Sequence, residues 1–290
     1  MSKFFQALKQ AEQDRALREQ VSPTPPTAPA RPGAGRFPRP EPLRAPDSRE
    51  EFHGPVEEHL VSLLAPASSE AEQYRFLRHM VEQLHRATEL SVLAVAGPTV
   101  GDGKTTTAIN LAGALSQAPD ARVLVIDADL RQPSLAAYLG LDDPDQPGLV
   151  AAILDPAISL KDVVRRLAPF NLDVLPAGVP RGGISDILRS PRLDAFVQWA
   201  RQQYACVVVD TPPLLPVFDS ALLAKSVDGV LVVVSANRTP RKLLGEALNM
   251  LDASKVLGIV FNRDDRPLFG YYNAYYRQYF PDASQVASEA

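Results

Sequence analysis

The stretch that decides the fold runs from Val95 to Thr107 and reads Val-Ala-Gly-Pro-Thr-Val-Gly-Asp-Gly-Lys-Thr-Thr-Thr. An apolar run over 91–96 leads into it, and alanines and leucines at helical spacing follow it. This order predicts a strand, a glycine-containing turn and a helix, the arrangement that cradles phosphate groups. Backbone N–H groups of such a turn, together with the positive end of the helix, bind phosphate oxygens. The sequence therefore predicts a nucleotide-binding site at residues 97–106, which we term the phosphate loop.

Two side chains of the phosphate loop have expected roles. Lys104 is expected to reach the β- and γ-phosphates, and the Thr105 hydroxyl to hold a magnesium ion. The other candidate nucleotide-binding residues of the loop are Gly101, Asp102, Gly103 and Thr106. The loop departs from the strict pattern, because Pro98 stands where a glycine is expected five residues before Gly103. Proline fixes φ and lacks an N–H donor, so the first turn must follow a variant path.

Two apolar segments further along the chain end in aspartates. Segment 123–131 contains Asp127 and Asp129, and segment 207–213 contains Asp210 before two prolines. Aspartates at i and i+2 leave a strand on the same side, where they hold a magnesium shell or orient an attacking hydroxyl; an ordinary strand-ending turn is the alternative. Asp210 is expected to be a water-mediated magnesium partner. The candidate catalytic residues are Lys104, Asp127, Asp129 and Asp210, and the candidate metal-binding residues are Thr105, Asp127 and Asp210.

Continuous apolar runs alternate with helical patterns through the middle of the chain. The runs lie at 91–96, 122–126, 171–175, 205–209, 229–234 and 255–261. Runs without polar alternation indicate strands that are covered on both faces. The predicted fold class is therefore α/β, with a mainly parallel central sheet flanked by helices and the phosphate loop at its carboxyl edge. A helix is predicted over 70–86, and the folded domain over 55–263.

Asn262 and Arg263 follow the last predicted strand. A side-chain amide at this place is able to hydrogen-bond an adenine edge, so both residues are candidate nucleotide-binding residues. Ordinary capping of a strand end is an equal alternative for Asn262.

Composition bounds the classes of protein. The 290 residues are 46% apolar, enough for one good core with chain left over. A net charge of −4 gives no global electrostatic case for nucleic acid. The single cysteine, Cys206, excludes an internal disulfide framework and is expected to be a buried structural thiol. Because neither a secretory h-region nor a run of 18 apolar residues occurs, we expect a cytoplasmic protein that reaches the membrane only through a partner.

The two ends of the chain differ from its middle. Residues 1–20 have a weak amphipathic pattern, for which a docking or membrane-surface helix and a solvated extension both remain open. Residues 21–54 are predicted to be a semi-rigid, disordered linker, since nine prolines fall between 21 and 48. In the predicted flexible tail, 264–290, tyrosines cluster at Tyr271, Tyr272, Tyr275, Tyr276 and Tyr279. A helix with one aromatic face is the alternative there; beside a phosphate loop, an array of phosphate acceptors is favoured.

In these features the chain resembles the bacterial tyrosine autokinases of capsule and exopolysaccharide export. The resemblance covers residues 55–280 and rests on the variant phosphate loop, the two aspartate-ending strands and the tyrosine cluster. It implies a tyrosine kinase that uses ATP and Mg²⁺, in which Asp127 orients or deprotonates the tyrosine hydroxyl while Asp129 and Asp210 support the metal. Three residues near the start of the domain look like the family's oligomerisation signature, and surface ion pairing along a helix is the alternative for them. They are Glu72, Arg75 and Arg78.

The resemblance also implies partners. Family members assemble into rings in which the tail of one subunit enters the active site of the next, and phosphorylation loosens the ring. Some members are fused to a transmembrane activator, and this chain looks like the separate kind. The expected activator is a membrane-embedded polysaccharide co-polymerase or chain-length determinant, and a phosphotyrosine phosphatase is expected as well.

Two other functions are weighed against the kinase. One is a switch ATPase of the partition and division-site class, which carries a signature lysine where this chain has Thr99. The other is a nucleotide-bound scaffold whose tyrosines are phosphorylated by another enzyme.

Overall fold

The computed structural model describes residues 55–264, apart from 119–120, 142, 144–145, 160, 168–169, 180–182, 216 and 218. The predictions for residues 1–20, for the linker 21–54 and for the tyrosine cluster therefore lie outside the described residues.

A seven-stranded sheet forms the centre of the fold, in the order β3-β4-β2-β5-β1-β6-β7. All neighbouring strands are parallel except β3 and β4. The strands are β1 Val92–Ala96, β2 Val123–Asp127, β3 Arg165–Leu167, β4 Leu172–Leu175, β5 Cys206–Asp210, β6 Gly229–Ser235 and β7 Val256–Asn262. Six of them are the six apolar runs, each within one residue at either end, so the predicted α/β class and mainly parallel sheet are confirmed.

Helices connect the strands and cover both faces of the sheet. They are α1 Val61–Leu64, α2 Ser69–Thr88, α3 Lys104–Ser116, α4 Leu135–Tyr138, α5 Leu149–Leu154, α6 Ile184–Leu188, α7 Pro191–Gln203, α8 Asp219–Ser226 and α9 Arg241–Leu248, with a 3₁₀ turn at Ala253–Lys255. Between residues 55 and 264, no described helix is both long enough and apolar enough to cross a bilayer.

Successive side chains of each strand enter two separate cores. On β1, Val92 and Ala94 pack with residues of α5 to α9, whereas Leu93 and Val95 pack with residues of α1 to α4. Since successive residues of a strand point to opposite faces, burial on both sides requires an unbroken apolar run. This is the physical reason why the runs were readable as strands.

The helix predicted over 70–86 is α2, which extends a little further at both ends. The Ser68 side chain accepts a hydrogen bond from the Ala71 amide at 3.1 Å, which satisfies one of the free N–H groups at the helix start. Acidic residues in the first turn and basic residues in the last turn complement the helix dipole. The apolar stripe of α2 faces α3, and Val81 lies in the core between them.

Strand β3 is an element that no pattern predicted. It has three residues, of which Arg165 and Arg166 are two, so it contains no apolar run. Arg165 Nη1 donates to the Leu141 carbonyl at 2.7 Å, and Arg166 Nη1 pairs with Asp173 Oδ1 at 2.7 Å. Strand β3 pairs with β4 in the antiparallel sense at one edge of the sheet, and the Arg166–Asp173 contact links these two strands.

Candidate active site

The phosphate loop leaves the carboxyl end of β1 and enters α3. Gly101 and Gly103 have φ of 82° and 91°, a conformation that favours glycine because it has no Cβ. A Cβ on Gly97 would lie 2.6 Å from the Val233 carbonyl oxygen, so β6 approaches the start of the loop too closely for a side chain. At the variant position, Pro98 accepts a hydrogen bond from the Leu215 amide at 3.1 Å through its carbonyl oxygen. Pro98 thus takes part through its carbonyl oxygen, the one backbone hydrogen-bonding group that proline keeps.

Asp102 holds the phosphate loop together from within. Its Oδ2 accepts hydrogen bonds from the Thr99 amide at 2.7 Å and the Thr99 hydroxyl at 3.0 Å. Its Oδ1 accepts from the Thr239 hydroxyl at 2.5 Å and from the Ser235 amide at 3.3 Å. The carboxylate is buried and turned into the protein, so this candidate nucleotide-binding residue would contribute through the backbone it orders. Sequence reasoning missed Thr239 and Ser235, which follow β6 without a recognisable motif.

Lys104 and Thr105 open helix α3. Lys104 is buried, with 7% of its surface exposed, and its Nζ donates to the Thr99 carbonyl across the loop at 3.2 Å. The Thr105 hydroxyl pairs with the Ser134 hydroxyl at 3.3 Å, and Thr106 lies one residue further along the helix. An ammonium folded back over the loop backbone is available to phosphate oxygens, because its present partner is a single carbonyl.

Asp127 and Asp210 meet at the carboxyl edge of the sheet. They are the last residues of β2 and β5 and are partners in the register of these neighbouring strands. Asp127 Oδ1 accepts a hydrogen bond from the Asp129 amide at 3.1 Å, and its Oδ2 accepts from the Ser134 and Leu135 amides at 3.1 and 3.0 Å. Asp127 therefore also fixes the start of α4.

Asp210 differs from Asp127 in its surroundings. It is fully buried, yet neither of its carboxylate oxygens accepts a hydrogen bond from any residue that the structure describes. The neighbouring Thr105 hydroxyl lowers the pKa of this carboxyl but pairs geometrically with Ser134 instead. A buried carboxylate without partners is costly unless a cation compensates it.

Asp129 is less buried than Asp127 and Asp210, and its side chain closes a turn after β2. Its Oδ1 accepts hydrogen bonds from the Arg131 and Gln132 amides at 3.2 and 3.1 Å. A carboxylate that closes a turn in this way keeps its other oxygen for a further partner. Asp129 also lies close enough to influence the charge of both buried aspartates.

Burial and mutual repulsion disfavour ionisation of the two buried carboxyls. Burial raises the pKa of Asp127 to about 7, and the Asp129 charge adds to the effect, while backbone N–H groups oppose it. Burial raises the pKa of Asp210 well above its usual range, and the charge of Asp127 raises it further. The Thr105 hydroxyl and Lys104 act in the opposite direction on Asp210. A cation at this edge would favour the ionised forms of both groups.

A magnesium ion fits this set of donors. Magnesium in nucleotide sites is held by one or two carboxylates or hydroxyls together with phosphate oxygens and water. The unpartnered oxygens of Asp210, with the Thr105 hydroxyl nearby, offer such ligands. The described residues contain no cluster of three or more His, Cys, Asp or Glu groups that would form an all-protein cage, and such a cage is not what magnesium needs.

Asn262 lies against the phosphate loop as the last residue of β7. Its Nδ2 donates to the Asp102 carbonyl at 3.0 Å, and its Oδ1 accepts from the Arg263 amide at 2.9 Å. A Cβ on Gly103 would fall 1.9 Å from Asn262 Nδ2. In this structure both ends of the amide have partners within the chain, and Arg263 continues the chain with a positive φ of 57°.

The three residues of the proposed oligomerisation signature lie on α2, away from the sheet edge. Glu72 and Arg75 form an ion pair with each other, and Arg75 Nη1 also donates to the Pro66 carbonyl at 2.5 Å. Arg78 pairs with Glu82 at 2.7 Å and donates to the Ala114 carbonyl at the end of α3 at 3.0 Å. Arg78 thus has a clear role within the chain, while Glu72 and Arg75 are more exposed.

The fold and the phosphate loop define the class of protein. A family model described as an AAA domain matches residues 90–254, which cover more than half of the chain. This stretch includes the phosphate loop and both aspartate-ending strands. Residues 90–254 therefore form a domain of this P-loop class.

Relatives narrow the class to a family. Tyrosine-protein kinase YwqD of Bacillus subtilis is 30% identical over 71% of this chain and 86% of its own length. Succinoglycan biosynthesis transport protein ExoP of Rhizobium meliloti is 34% identical over 72% of this chain, which spans only 27% of ExoP. The kinase domain of the Escherichia coli tyrosine kinase ETK has a TM-score of 0.64 at 28% identity, covering 76% of this chain and 87% of that one. The chain belongs to the bacterial tyrosine autokinases, although it spans less than a third of the length of several of its relatives.

Proposed function

We propose that this chain transfers the γ-phosphate of ATP to tyrosines of its own C-terminal cluster, in trans between copies of an oligomer. The observation that carries the proposal is the buried, unpartnered carboxylate of Asp210 opposite Asp127, beside Lys104 and the phosphate loop. This arrangement suits a metal–nucleotide complex and an attacking hydroxyl at one sheet edge. The tyrosine cluster supplies that hydroxyl.

The residues of the site divide the work of phosphoryl transfer. The tyrosine oxygen forms a bond to the γ-phosphorus, the bond from that phosphorus to the bridging oxygen breaks, and ADP leaves while the tyrosine proton is released. Lys104 and the backbone N–H groups of the phosphate loop bind phosphate oxygens. Asp127 orients the hydroxyl and accepts its proton late in the transfer, because a tyrosine with a pKa near 10 is not ionised beforehand.

Thr105 and Asp210 would hold magnesium, and the nearby Asp129 would support it. The bound ion supplies charge neutralisation for the phosphate oxygens. The pairing of β2 and β5 places Asp127 beside Asp210. The residue that orients the tyrosine hydroxyl therefore lies next to a residue that would hold the metal.

The tyrosines are within reach of an active site. Tyr279 is 17 positions beyond Asn262, so this segment spans at most roughly 55 Å. Each phosphate adds about −1.5 to −2 charges. A tail that carries several of them repels neighbouring tails and ATP, which would loosen a crowded oligomer. Glu72 and Arg75, on the exposed part of α2, are the residues that we assign to its subunit contacts.

Detection of phosphotyrosine on the purified chain with ATP and Mg²⁺ tests the proposal. Two variants accompany it: Lys104→Met, and a variant with all five cluster tyrosines changed to phenylalanine. Signal in the parent that vanishes in both variants supports autophosphorylation of the tail. Signal that survives Lys104→Met points to another kinase in the sample and contradicts the proposal.

Trans action is tested by mixing two defective chains. Lys104→Met keeps its tyrosines, whereas the five-phenylalanine variant keeps its active site. Mixing them should restore phosphotyrosine on the Lys104→Met chain. If no signal returns although each chain is folded, transfer occurs within one chain.

The cellular role proposed is control of exopolysaccharide polymerisation and export. The support is the name of one relative, a succinoglycan biosynthesis transport protein. We propose recruitment to the inner face of the cytoplasmic membrane by a polysaccharide co-polymerase, with residues 1–48 as the docking segment, and reversal by a phosphotyrosine phosphatase. Membrane recruitment that persists after deletion of residues 1–48 would remove that role from the segment.

The switch ATPase is distinguished by the same samples. ATP hydrolysis that requires Lys104, without any phosphotyrosine even when the cytoplasmic segment of the activator is added, would favour it. Thr99 speaks against it, because this residue occupies the place of the signature lysine and is used to bind Asp102.

A further inference from the structure

Arg131 and Asp219 form an ion pair beside the candidate active site. Arg131 Nε donates to Asp219 Oδ2 at 2.5 Å. The side chain of Asp219 is 4% exposed, while that of Arg131 is 44% exposed. Arg131 lies four residues after Asp127, the last residue of β2, and Asp219 is the first residue of α8. The pair therefore joins two segments that leave the sheet edge from neighbouring strands.

Both ends of this ion pair are fixed relative to the phosphate loop. The Leu214 and Leu215 amides donate to the Gly97 and Pro98 carbonyls at 2.8 and 3.1 Å, which ties the segment before α8 to the loop. Ser220, the second residue of α8, donates to the Pro212 carbonyl of the same segment at 2.5 Å.

The segment that carries Arg131 is held as firmly. The Arg131 amide donates to Asp129 Oδ1. Three residues on, Ser134 contacts the Thr105 hydroxyl at 3.3 Å, next to Lys104. The Arg131 segment thus runs alongside the start of α3, where the phosphates of a nucleotide would lie.

The guanidinium of Arg131 has one edge occupied and one edge available. Nε is bound to Asp219, whereas the two Nη groups donate to none of the residues that the structure describes. A guanidinium fork held in this way matches the oxygens of a phosphate group with two parallel hydrogen bonds. The carboxylate of Asp129 also lies close enough to stabilise its positive charge.

We propose that Asp219 is a positioning residue: it holds Arg131 by Nε so that the two Nη groups bind the terminal phosphate of the nucleotide. The inference relies on the proposed function only for the identity of the nucleotide. Phosphate binding would occupy the exposed edge of Arg131, and Asp219 would not touch the ligand. Removing Asp219 should therefore weaken the same contact as removing Arg131.

Calorimetric titration in Mg²⁺ tests this role through the ratio of two dissociation constants. The ligands are ADP and an ATP analogue whose β–γ bridge is a methylene group, so that no transfer occurs. In the parent chain the ATP analogue should bind more tightly than ADP, because only the analogue has a γ-phosphate for Arg131 to bind. Asp219→Ala and Arg131→Ala should each reduce this preference about tenfold, the effect expected from one charge-assisted contact.

The double variant and a conservative variant make the test specific. Asp219→Ala combined with Arg131→Ala should lose no more preference than Arg131→Ala alone, since both changes remove one contact. Asp219→Asn keeps an acceptor oxygen for Nε and should retain part of the preference, which keeps the test open if the alanine variant does not fold.

A matched control is an ion pair near the amino end of the strands. Arg201 Nη1 pairs with Asp228 Oδ2, also at 2.5 Å. Arg201→Ala should lower the melting temperature and leave the nucleotide preference unchanged. The proposal is overturned by an unchanged preference in the Asp219 variants, by additive losses in the double variant, or by a parent that binds both ligands equally. Binding with normal preference but without phosphotyrosine would instead contradict the kinase proposal alone.

Discussion

Asp127 and Asp210 end adjacent parallel strands as register partners, so two buried carboxyl groups face the same end of the sheet. Asp127 receives three backbone N–H donors, and Asp210 receives none from the described residues. Asp127 is held in place by backbone N–H groups, whereas Asp210 has no such partner among the described residues and suits a bound cation.

Replacing Asp210 by asparagine should stabilise the nucleotide-free chain and destroy its response to ligand. In the folded chain this buried carboxyl must either carry a charge without hydrogen-bond partners or take up a proton that it lacks when unfolded, and asparagine avoids both costs. We therefore expect unfolding to become harder by about 1 kcal/mol. The thermal stabilisation by Mg²⁺ and ADP should vanish, and autophosphorylation should fall at least about a hundredfold. Thermal denaturation with and without ligand measures both effects.

Asp228→Asn is the control for this change. Its carboxylate accepts hydrogen bonds from the Ser91 and Val92 amides and pairs with Arg201, which lower its pKa against the effect of burial. Asp228→Asn should therefore destabilise the chain. A loss of stability in the nucleotide-free Asp210→Asn chain would contradict our reading of that site.

Stability without ligand should decline as the pH rises through 7. Burial raises the pKa of Asp127 to about 7 in the folded chain, above its value near 3.9 in the unfolded chain. A carboxyl with a raised folded-state pKa favours folding at low pH, and this contribution is lost as the pH passes the folded-state value. Between pH 6 and 8.5 the free energy of unfolding should fall by about 1 kcal/mol from this group.

Urea denaturation at several pH values, with the Asp210→Asn chain in parallel, isolates this effect. The variant lacks the second buried carboxyl, whose pKa burial also raises, so its pH dependence should be flatter, while all histidines remain unchanged. Stability of the parent that rises more steeply from pH 6 to 8.5 than that of the variant would refute the assignment.

Gly103→Ala should distort the phosphate loop. The residue has a φ of 91°, and a Cβ would meet Asn262 Nδ2. The left-handed backbone alone costs about 1–2 kcal/mol for alanine, and the collision displaces the amide that holds the loop. We expect lower stability and loss of measurable ADP binding in a titration.

Gly245→Ala in helix α9 provides the comparison. A Cβ there meets nothing within 4 Å, so the change should raise helix stability by about 0.5–1 kcal/mol and leave nucleotide binding intact. Normal ADP affinity in the Gly103→Ala chain would show that the loop tolerates a different path.

The Cys206 thiol should be inert in the folded chain. It is buried in β5, and burial raises its pKa to about 12, with a smaller contribution from Asp228. Only the thiolate reacts, so a disulfide reagent should label the native protein at least about a thousandfold more slowly than the chain in denaturant. Stopped-flow absorbance measures both rates. Equal rates would mean that the strand is exposed in solution.

The sequence predicted the elements whose signal is periodic or continuous. The six apolar runs became six strands because burial on both faces leaves no place for polar residues. The helix α2 was readable from the spacing of residues such as Val81. The presence of both aspartates at the carboxyl edge of the sheet was also predicted, since Asp127 and Asp210 end apolar runs that belong to the same parallel sheet as the phosphate-loop strand.

Features that depend on partners distant in sequence were not predictable. Strand β3 forms because Arg165 and Arg166 find acceptors on other segments, which no local pattern records. Thr239 supports the phosphate loop from 137 residues away through Asp102. Asp219 finds Arg131 only after the sheet has assembled. Hydrogen bonds between loops do not require a periodic pattern of apolar residues. A prediction from sequence patterns therefore does not detect them.

The short strand β3, which contains two arginines, affects how copies of the chain aggregate. An open sheet edge is a template onto which a foreign strand adds, and natural proteins discourage this with short, charged edges. With three residues, two of them arginines, β3 gives an incoming strand little to align with. Copies crowded at a surface would therefore not fuse their sheets through this side into cross-β aggregates, and contact there would have to use side chains and remain reversible.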